Sequence, residues 1–600
     1  MHPHLQALQR ALEDESAYRK RELERQLSLS LDQRVAEGVS WPPLQVVDIE
    51  WTRRGPRLLL ESGAPLHEGL DAGAPITLSP PARVSGLPGT LLEVEGRLAV
   101  VQLSGDQLPD WVEQGRVVVS QRPDEDTLAL LKATLQRAEL SEGPLKAQLL
   151  GAPLPEPEPQ VTLPGLNAAQ TTAAAEALGS PHLAAIHGPP GTGKTTTLVA
   201  MVQHLVAQGQ RPWTLADSNA AVDHLALSLH AAGVKVLRLG HPARMRPEAR
   251  PLGLEAALAA GPYAKALELL DKDIRKAAQE SRWRDRRALL REHRQLRQQA
   301  RDQAMSSAQV LALTLGTLLR RADQLPEAHT ALVDEATQAI EPLLWALVPR
   351  VQRLILLGDP HQLGPVVTQP GNPLERSLLD RLLQEQRLTL SMLEIQHRMG
   401  APLGSLVSPI YGPSYRPHPA VADRSLCDLV KAPPDWARRG VFFLDTAGAG
   451  FEERLDPRSK STENPDEVRV LAELWRQLSL AGVQPEQCVA LTPYRAQVDA
   501  LRNHPDLAGI RCATLNAWQG REEEVVLCSF VRSNPLGDLG FVRDIRRLTV
   551  ALTRAKRLFA GVGDSATLSN HPRFAQLVDQ MIELDALDTI WSEPWLGLHS

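Results

Sequence analysis

The chain has 600 residues, 43% hydrophobic and 23% charged, with a formal net charge of −6. Such a length accommodates about three to five domains, and the charge balance excludes a uniformly basic nucleic-acid coat, so any contact with phosphate backbones must use local patches. The cysteines Cys427, Cys488, Cys512 and Cys528 never fall at metal-ligand spacing, no long apolar stretch occurs, and the N-terminus has no apolar leader, so the expectation is a cytoplasmic monomer without a zinc module, a disulfide framework or a membrane span.

Residues 4–37 read as a helix, with Leu5, Leu8 and Leu12 on one face and interleaved charges in "RKRELERQ". Residues 44–120 change texture. "LQVVDIEW", "RLLLES", "PITLS", "RVSGLPGTLLEVEGRLAVVQL" and "GRVVVSQR" are short β-type runs broken by Gly and Pro, and predict a small barrel or sandwich. Helical pattern returns at 124–150. The segment "APLPEPEPQVTLPG" (152–165) holds five prolines in fourteen residues and reads as a stiff extended linker.

Beyond the linker, strand-like and helix-like segments alternate, the mark of a parallel α/β sheet. The strand candidates are 182–188, 211–218, 234–240, 329–336 and 353–359. A charged helix-forming stretch at about 262–305 interrupts them, and within 271–302 it carries eleven Lys/Arg against six Asp/Glu. Two readings stand for it: a solvated helical arm, or a basic arm that touches nucleic acid or a partner. After residue 380 a second series offers strands at 440–448, 488–494, 511–517, 524–531, 546–555 and 557–564.

The segment "LAAIHGPPGTGKTTTLV" (183–199) carries the strongest chemistry. Gly188 to Thr195 matches G-x-x-x-x-G-K-[ST] between a β-type run and a helix-forming run. Gly188, Gly191 and Gly193 let the backbone curl until its N–H groups converge on a phosphate, with Pro189, Pro190, Thr192 and Thr196 in the same loop and helix start. The following helix adds its positive dipole end. Lys194 is expected to reach the β- and γ-phosphates of ATP, and the Thr195 hydroxyl to hold Mg²⁺. "ALVDEATQAIEP" (331–342) supplies an acid pair at the end of a buried-type strand. Asp334 is expected on Mg²⁺ and Glu335 as acceptor of the attacking water's proton. "ALTRAKR" (551–557) places Arg554 after an apolar run, in the other α/β series. Its planar guanidinium suits a triphosphate better than an ammonium would. A finger supplied from a second domain couples nucleotide state to domain motion.

Taken together and in order from about 166 to 564, these segments resemble a superfamily 1B helicase, of the subgroup typified by the nonsense-mediated-decay and immunoglobulin mu-binding helicases. The resemblance implies an α/β fold of two tandem RecA-like P-loop domains with parallel sheets, plus an N-terminal helical stalk with a small β-barrel and a helical insertion. The implied boundaries are 1–151 for the stalk and barrel, 152–165 for the linker, 166–368 for the first motor domain with its insertion at about 250–305, and 369–600 for the second. "LNAAQ" (166–170) resembles the adenine-sensing motif and implies Asn167 and Gln170 at the base. "LGDPHQLGPVV" (357–367) resembles motif III and implies that Asp359 and Gln362 sense the γ-phosphate. "LEIQHRM" (393–399) resembles motif IV, with Arg398 on the γ-phosphate and His397 against adenine where the family usually has Tyr. "TLNAWQGREEEVV" (514–526) resembles motif V, which places Gly520 and Glu522 at the nucleotide, and Arg554 matches the family's finger in motif VI. Asn516 and Thr549 depart from the usual residues.

The resemblance also implies a nucleic-acid track of Ser218, Asn219, Thr317, Thr492, Pro493, Tyr494, Asn516 and Arg532. Aromatics are only 4% of the chain, so base stacking would rest on few residues, with Trp283, Tyr411, Tyr494 and Trp518 as candidates. The implied activity is ATP-driven 5′→3′ movement along single-stranded DNA or RNA with duplex unwinding. Two alternatives remain: a nucleic-acid-stimulated ATPase that strips nucleoprotein without unwinding, and a P-loop switch that regulates a partner.

Overall fold

The structure, a computed structural model, describes residues 1–592 except 53–54, 64–65, 67–69, 71–72, 82–85, 104–106, 114, 123–124, 159–160, 281, 389, 458 and 519. Part of the predicted run at 83–85, part of the linker and the side chain of Trp283 lie outside the described residues. The chain divides into two compact units. The first comprises 1–186, 195–358 and 364–391, and the second 187–194, 359–363 and 392–600. The phosphate loop and the Asp359–Leu363 turn thus belong to the second unit, although in sequence they sit within the first α/β series.

In the first unit, the predicted N-terminal helix is two helices, Pro3–Leu27 and Leu31–Ala36. The break has a local cause: Ser30 starts a new helix with a capping box to Gln33, satisfying N-terminal N–H groups that the first helix could not. Leu5, Leu8 and Leu12 share one hydrophobic core with Leu131 and Leu135 of helix Glu125–Leu140 and with the first α/β sheet. A buried Glu341 ties the same region together, accepting hydrogen bonds from Arg381 Nε (3.0 Å) and pairing with His4 Nε2 (2.7 Å).

Strands β1 (Leu44–Thr52), β2 (Gly55–Glu61), β3 (Pro75–Ser79), β4 (Leu87–Glu95), β5 (Leu98–Leu103) and β6 (Arg116–Gln121) close into a barrel in the order β1-β2-β5-β4-β3-β6. Closure follows from period-two patterning: Leu58 and Leu60, Ile76 and Leu78, and Val117 and Val119 all point inward, with Trp41 filling the same core.

The first α/β sheet contains β7 (Leu183–His187), β8 (Trp213–Ala216), β9 (Val236–Leu239), β10 (Val310–Thr314), β11 (Thr330–Val333), β12 (Arg353–Gly358) and the short β13 (Ser391–Met392), in the order β13-β7-β12-β11-β8-β10-β9. The β8, β9, β10, β11 and β12 pairings are parallel. β10 was absent from the sequence reading. "VLALT" is wholly buried and follows a long charged helix without a Gly or Pro to announce a strand. The charged stretch forms helices Ala264–Gln279 and Trp283–Ser307, packed through Leu267, Leu270, Ile274 and Ala277 on the first and His293 and Ala300 on the second.

The second unit holds two short pairs, β14 (Ile395–Gln396) with β15 (Arg416–Pro417) and β17 (Arg454–Leu455) with β18 (Thr462–Glu463). Its main sheet is built from β16 (Val441–Asp445), β19 (Cys488–Thr492), β20 (Arg511–Thr514), β21 (Glu523–Ser529), β22 (Ala555–Gly563) and β23 (Leu587–Thr589), in the order β20-β19-β21-β22-β16-β23 with parallel pairings. One expectation is overturned here. Residues 546–555 do not form a strand; Arg546–Arg554 is a helix that runs straight into β22. The β-branched Thr549, Val550 and Thr553 favour a strand locally, but every residue from Leu548 to Arg554 is buried, and tertiary packing overrides that weak preference. Thr553 Oγ1 donates back to Thr549 O at 2.7 Å, an arrangement β-branched hydroxyls use inside helices.

Candidate active site

The phosphate loop spans the turn between β7 and helix Lys194–Ala207. Gly191 (φ +73°) and Gly193 (φ +78°) adopt left-handed backbone that side chains resist. A Cβ at Gly191 would stand 2.7 Å from Arg398 Cβ, and one at Gly188 would stand 2.8 Å from Lys194 Cδ. The cradle therefore has room only for backbone. Thr192 Oγ1 donates to Pro189 O (2.7 Å), His397 N donates to Gly191 O (2.8 Å), and Tyr415 Oη donates to Pro190 O (2.9 Å). Sequence reading singled out neither Tyr415 nor this clamp.

The turn after β12 is anchored by Asp359, which is fully buried. It accepts hydrogen bonds from Tyr411 Oη (2.6 Å), Gln362 Nε2 (2.6 Å) and the His361 N–H (3.0 Å), and lies 3.1 Å from His187 Nε2. Burial would raise this carboxyl, but the His187, Tyr411 and Gln362 contacts outweigh it and hold the acid below its ordinary range. With its amide nitrogen fixed, Gln362 turns its oxygen to Arg554 Nη2 at 3.0 Å. Arg554 is itself nearly enclosed, donating from Nε to Val550 O (3.1 Å) and from Nη1 to Arg521 O (3.2 Å). His187 at the end of β7, the Asp359–Gln362 pair and Arg554 thus form one continuous polar chain inside the second unit.

The cations of "ALTRAKR" go three ways. Arg554 reaches Gln362, Lys556 pairs with Glu522 (3.1 Å), and Arg557 pairs with Glu524 (2.7 Å). Arg398, beside Gly191, forms an ion pair with Glu522 (2.6 Å) and donates to Thr553 O (2.8 Å). Burial would raise Glu522, but Arg398 and Lys556 outweigh that and lower it. The Glu522 carboxylate, expected at the nucleotide, is therefore engaged by two cations. Gly520 beside it takes φ +77° in an exposed turn. His397 stacks on His418 with ring centroids 4.5 Å apart, and burial together with that neighbour lowers its pKa. Gln396, another residue the sequence reading passed over, accepts the Arg398 and Met399 N–H groups (2.8 and 2.7 Å) and so shapes the turn that carries Arg398.

In the first unit, Asp334 and Glu335 follow β11 directly. Asp334 is buried, and its Oδ1 accepts the Glu335 N–H at 2.9 Å. Glu335 adopts φ 51°, ψ 39°, a left-handed conformation that costs a non-glycine residue roughly 1–3 kcal/mol and concentrates at functional sites. Its Oε2 accepts Gln338 Nε2 at 3.0 Å. Thr195 is half-buried and Thr196 exposed on the first turn of helix Lys194–Ala207. Asn167 and Gln170 form a reciprocal capping box, each side chain accepting the other's N–H at 3.0 Å, so the Gln170 amide oxygen is engaged at the helix start.

Of the residues expected on nucleic acid, Ser218 is exposed and caps helix Asn219–Ala231. Asn219 is held by Arg238 Nη2 (2.9 Å), which is in turn paired with the buried Asp223 (2.8 Å). Thr317 pairs with the capping Thr314 (2.9 Å), Pro493 is half-buried, and Asn516 is exposed. Burial sets three others apart. Thr492 is enclosed; Tyr494 is enclosed, with its hydroxyl 3.3 Å from Arg532; and Arg532 is enclosed and paired with Glu453 and Asp538 at 3.0 Å each. These side chains brace the loop after β19. Tyr411 and Trp518 are likewise buried, so neither offers a face for base stacking.

Two family models, each described as an AAA domain, match the chain at 165–370 and 374–566, the first as overlapping segments 165–282 and 265–370. DNA-binding protein SMUBP-2 of Mesocricetus auratus is 35% identical over 76% of this chain and 49% of its own length. The DNA polymerase alpha-associated DNA helicase A of Schizosaccharomyces pombe is 33% identical over 67% and 64%, and the ATP-dependent helicase NAM7 of Saccharomyces cerevisiae 30% over 75% and 48%. The chain spans about half the length of the first of these relatives.

Proposed function

Because the chain belongs to the superfamily 1B helicases, we propose that it is an ATP-dependent nucleic-acid motor that hydrolyses ATP to move 5′→3′ along a single strand and separate duplexes. The observation that carries this reading is the hydrogen bond from Arg554 to Gln362, made in the same compact unit that contains the phosphate loop. A nucleotide switch has no need for an enclosed arginine delivered from a second α/β sheet. A motor needs one, because the finger's engagement is what links the chemical step to movement.

The glycine cradle, into which no Cβ fits, suits a triphosphate. An oxygen set of hydroxyl and carboxylate suits Mg²⁺, so Thr195 and Asp334 would hold the ion. Bound ATP·Mg²⁺ supplies the phosphoryl group that passes to water. Lys194 and the loop N–H groups orient the β- and γ-phosphates. Glu335, set in its strained turn, accepts the water's proton on its carboxylate. Arg398 and Arg554 neutralise charge that develops on the phosphoryl oxygens, and Gln362 reports the presence of the γ-phosphate to Arg554 through the bond they share. The nucleic-acid track is read as Ser218, Asn219, Thr317, Pro493 and Asn516, which contact sugar and phosphate, so binding is sequence-tolerant and weakened by salt.

The test has two stages. ATP turnover is measured with and without matched single strands of DNA and RNA, then strand separation with 5′- and 3′-tailed duplexes. Stimulated turnover with unwinding from the 5′ tail is expected. Turnover indifferent to any single strand would remove the motor reading, and stimulation without strand separation would leave a remodelling ATPase.

A further inference from the structure

The helix Trp283–Ser307 has two faces of different character. His293 and Ala300 are buried, and Leu289, Leu290 and Leu296 are partly so, fixing that side against the protein. The opposite side carries Arg284, Arg287, Arg291 and Arg294, at i, i+3, i+7 and i+10, all exposed. At 100° per residue these four fall within one arc of the helix. Other arginines of the same segment have partners: Arg282 bonds Glu280 and Asp285, Arg297 bonds Glu255, and Arg301 bonds Gln324. Among the described residues the four on the stripe make no hydrogen bond or ion pair. Nor is the helix free to turn the stripe away, since the Arg297–Glu255 and Arg301–Gln324 contacts and the buried side set its rotation.

Four exposed guanidiniums lie in a row with no paired acid among the described residues, on a chain of net charge −6, and a polyanion laid along them would meet all four at once. We propose that this stripe is a docking surface for the phosphate backbone of a nucleic-acid duplex. The proposal rests on the motor reading for the presence of duplex at the protein. The stripe is about 15 Å long, a length over which one strand of a duplex carries roughly four phosphates. Arginine, with its forked donors, suits phosphate oxygens better than lysine. A rigid row of charges matches a regular phosphate ladder, whereas a flexible single strand would have to be ordered to meet it.

The experiment uses the full chain without nucleotide and follows binding of a blunt 20-base-pair duplex and of a single strand as salt is varied. The variant replaces all four arginines by glutamine, a good helix former; a second replaces all four by lysine. Loss of four phosphate contacts lowers the slope of log affinity against log salt by about 3–4 for duplex. The expected result is that drop in the glutamine variant, a slope near the native one in the lysine variant, and single-strand binding changed less than duplex binding. A duplex slope within about 1 of the native protein's in the glutamine variant overturns the proposal and leaves the face to an acidic protein partner. So does a drop confined to the single strand. Lack of strand-stimulated ATP turnover in the native protein would instead count against the motor reading, while duplex binding would still be read directly.

Discussion

Two neighbouring strands of the first sheet end in the same way and do different things. β11 runs "TALV" into Asp334 and Glu335, and β12 runs "RLILLG" into Asp359. Each is an apolar strand followed at once by an acid. Asp334 is satisfied by a backbone N–H of the next residue, and Glu335 sits in a left-handed turn. Two of that pair's contacts come from its own turn, the Glu335 N–H on Asp334 and the Gln338 amide on Glu335. Asp359 is satisfied by His187, Gln362 and Tyr411, the last of which lies 52 residues away in sequence. Strand context alone does not set a carboxylate's role; its donors do. An acid at a strand end that bonds within its own turn can also give an oxygen to an ion or accept a proton from water. An acid closed in by side chains becomes a fixed strut that orients what touches it.

The contrast can be broken at four points. Arg554→Ala removes the group at the far end of the Asp359 chain. Turnover stimulated by single strands should fall on the order of 10³–10⁵-fold while nucleic-acid binding without nucleotide persists; near-normal turnover would defeat the assignment. Glu335→Gln tests the acid pair after β11, with an expected fall of about 10²–10⁴-fold and ATP binding, followed by a fluorescent analogue, retained.

Tyr411→Phe deletes only the hydroxyl on Asp359. One donor fewer to a buried carboxylate should cost about 1–3 kcal/mol in urea unfolding. If Tyr411 acts through Gln362, its effect on turnover should vanish in a Gln362→Ala background; full additivity would make Tyr411 merely structural.

The smallest effect is a pH dependence, and it sharpens the comparison with a third acid. Glu467 is also fully buried, but burial dominates there and pushes its pKa up to about 8, with Ser529 Oγ and the Val531 N–H as donors to one oxygen. The folded protein then keeps a proton that the unfolded chain releases above about pH 4.3, so stability should fall as pH rises from there toward 8. Asp359 has the opposite sign: its lowered pKa contributes stability above about pH 3.9 that is lost as pH falls through its folded value. Glu467→Gln should flatten the alkaline limb in unfolding titrations between pH 5 and 9 and leave the acid limb in place. An unchanged alkaline limb would refute the Glu467 reading.

Much of the architecture was legible because it rests on local rules. Glycine spacing at 188–193 marked the phosphate loop, since glycine reaches the backbone angles found at Gly191 and Gly193 without the cost a side chain incurs. Buried apolar runs marked most strands of both sheets. β10 was missed because nothing punctuates its start. The run at 546–555 was misread because its β-branched residues describe local preference, while the packing that encloses Leu548 to Arg554 and holds the helix comes from the rest of the fold. Tyr411 was expected as a stacking face rather than as a donor to Asp359, and Tyr415 and Gln396 were not singled out, because an ordinary tyrosine or glutamine gains its role only from the atom it meets.

By itself, the sequence determined where the glycine-rich loop and the acid pair lie, because a backbone cradle and an acid pair at a strand end are short-range arrangements. The tertiary structure alone decided that Arg554 meets Gln362, that Asp359 is a closed strut, and that Thr492, Tyr494 and Arg532 face inward. Those outcomes depend on residues brought together from distant parts of the chain, where burial and the available donors, rather than residue type, fix what each group can do.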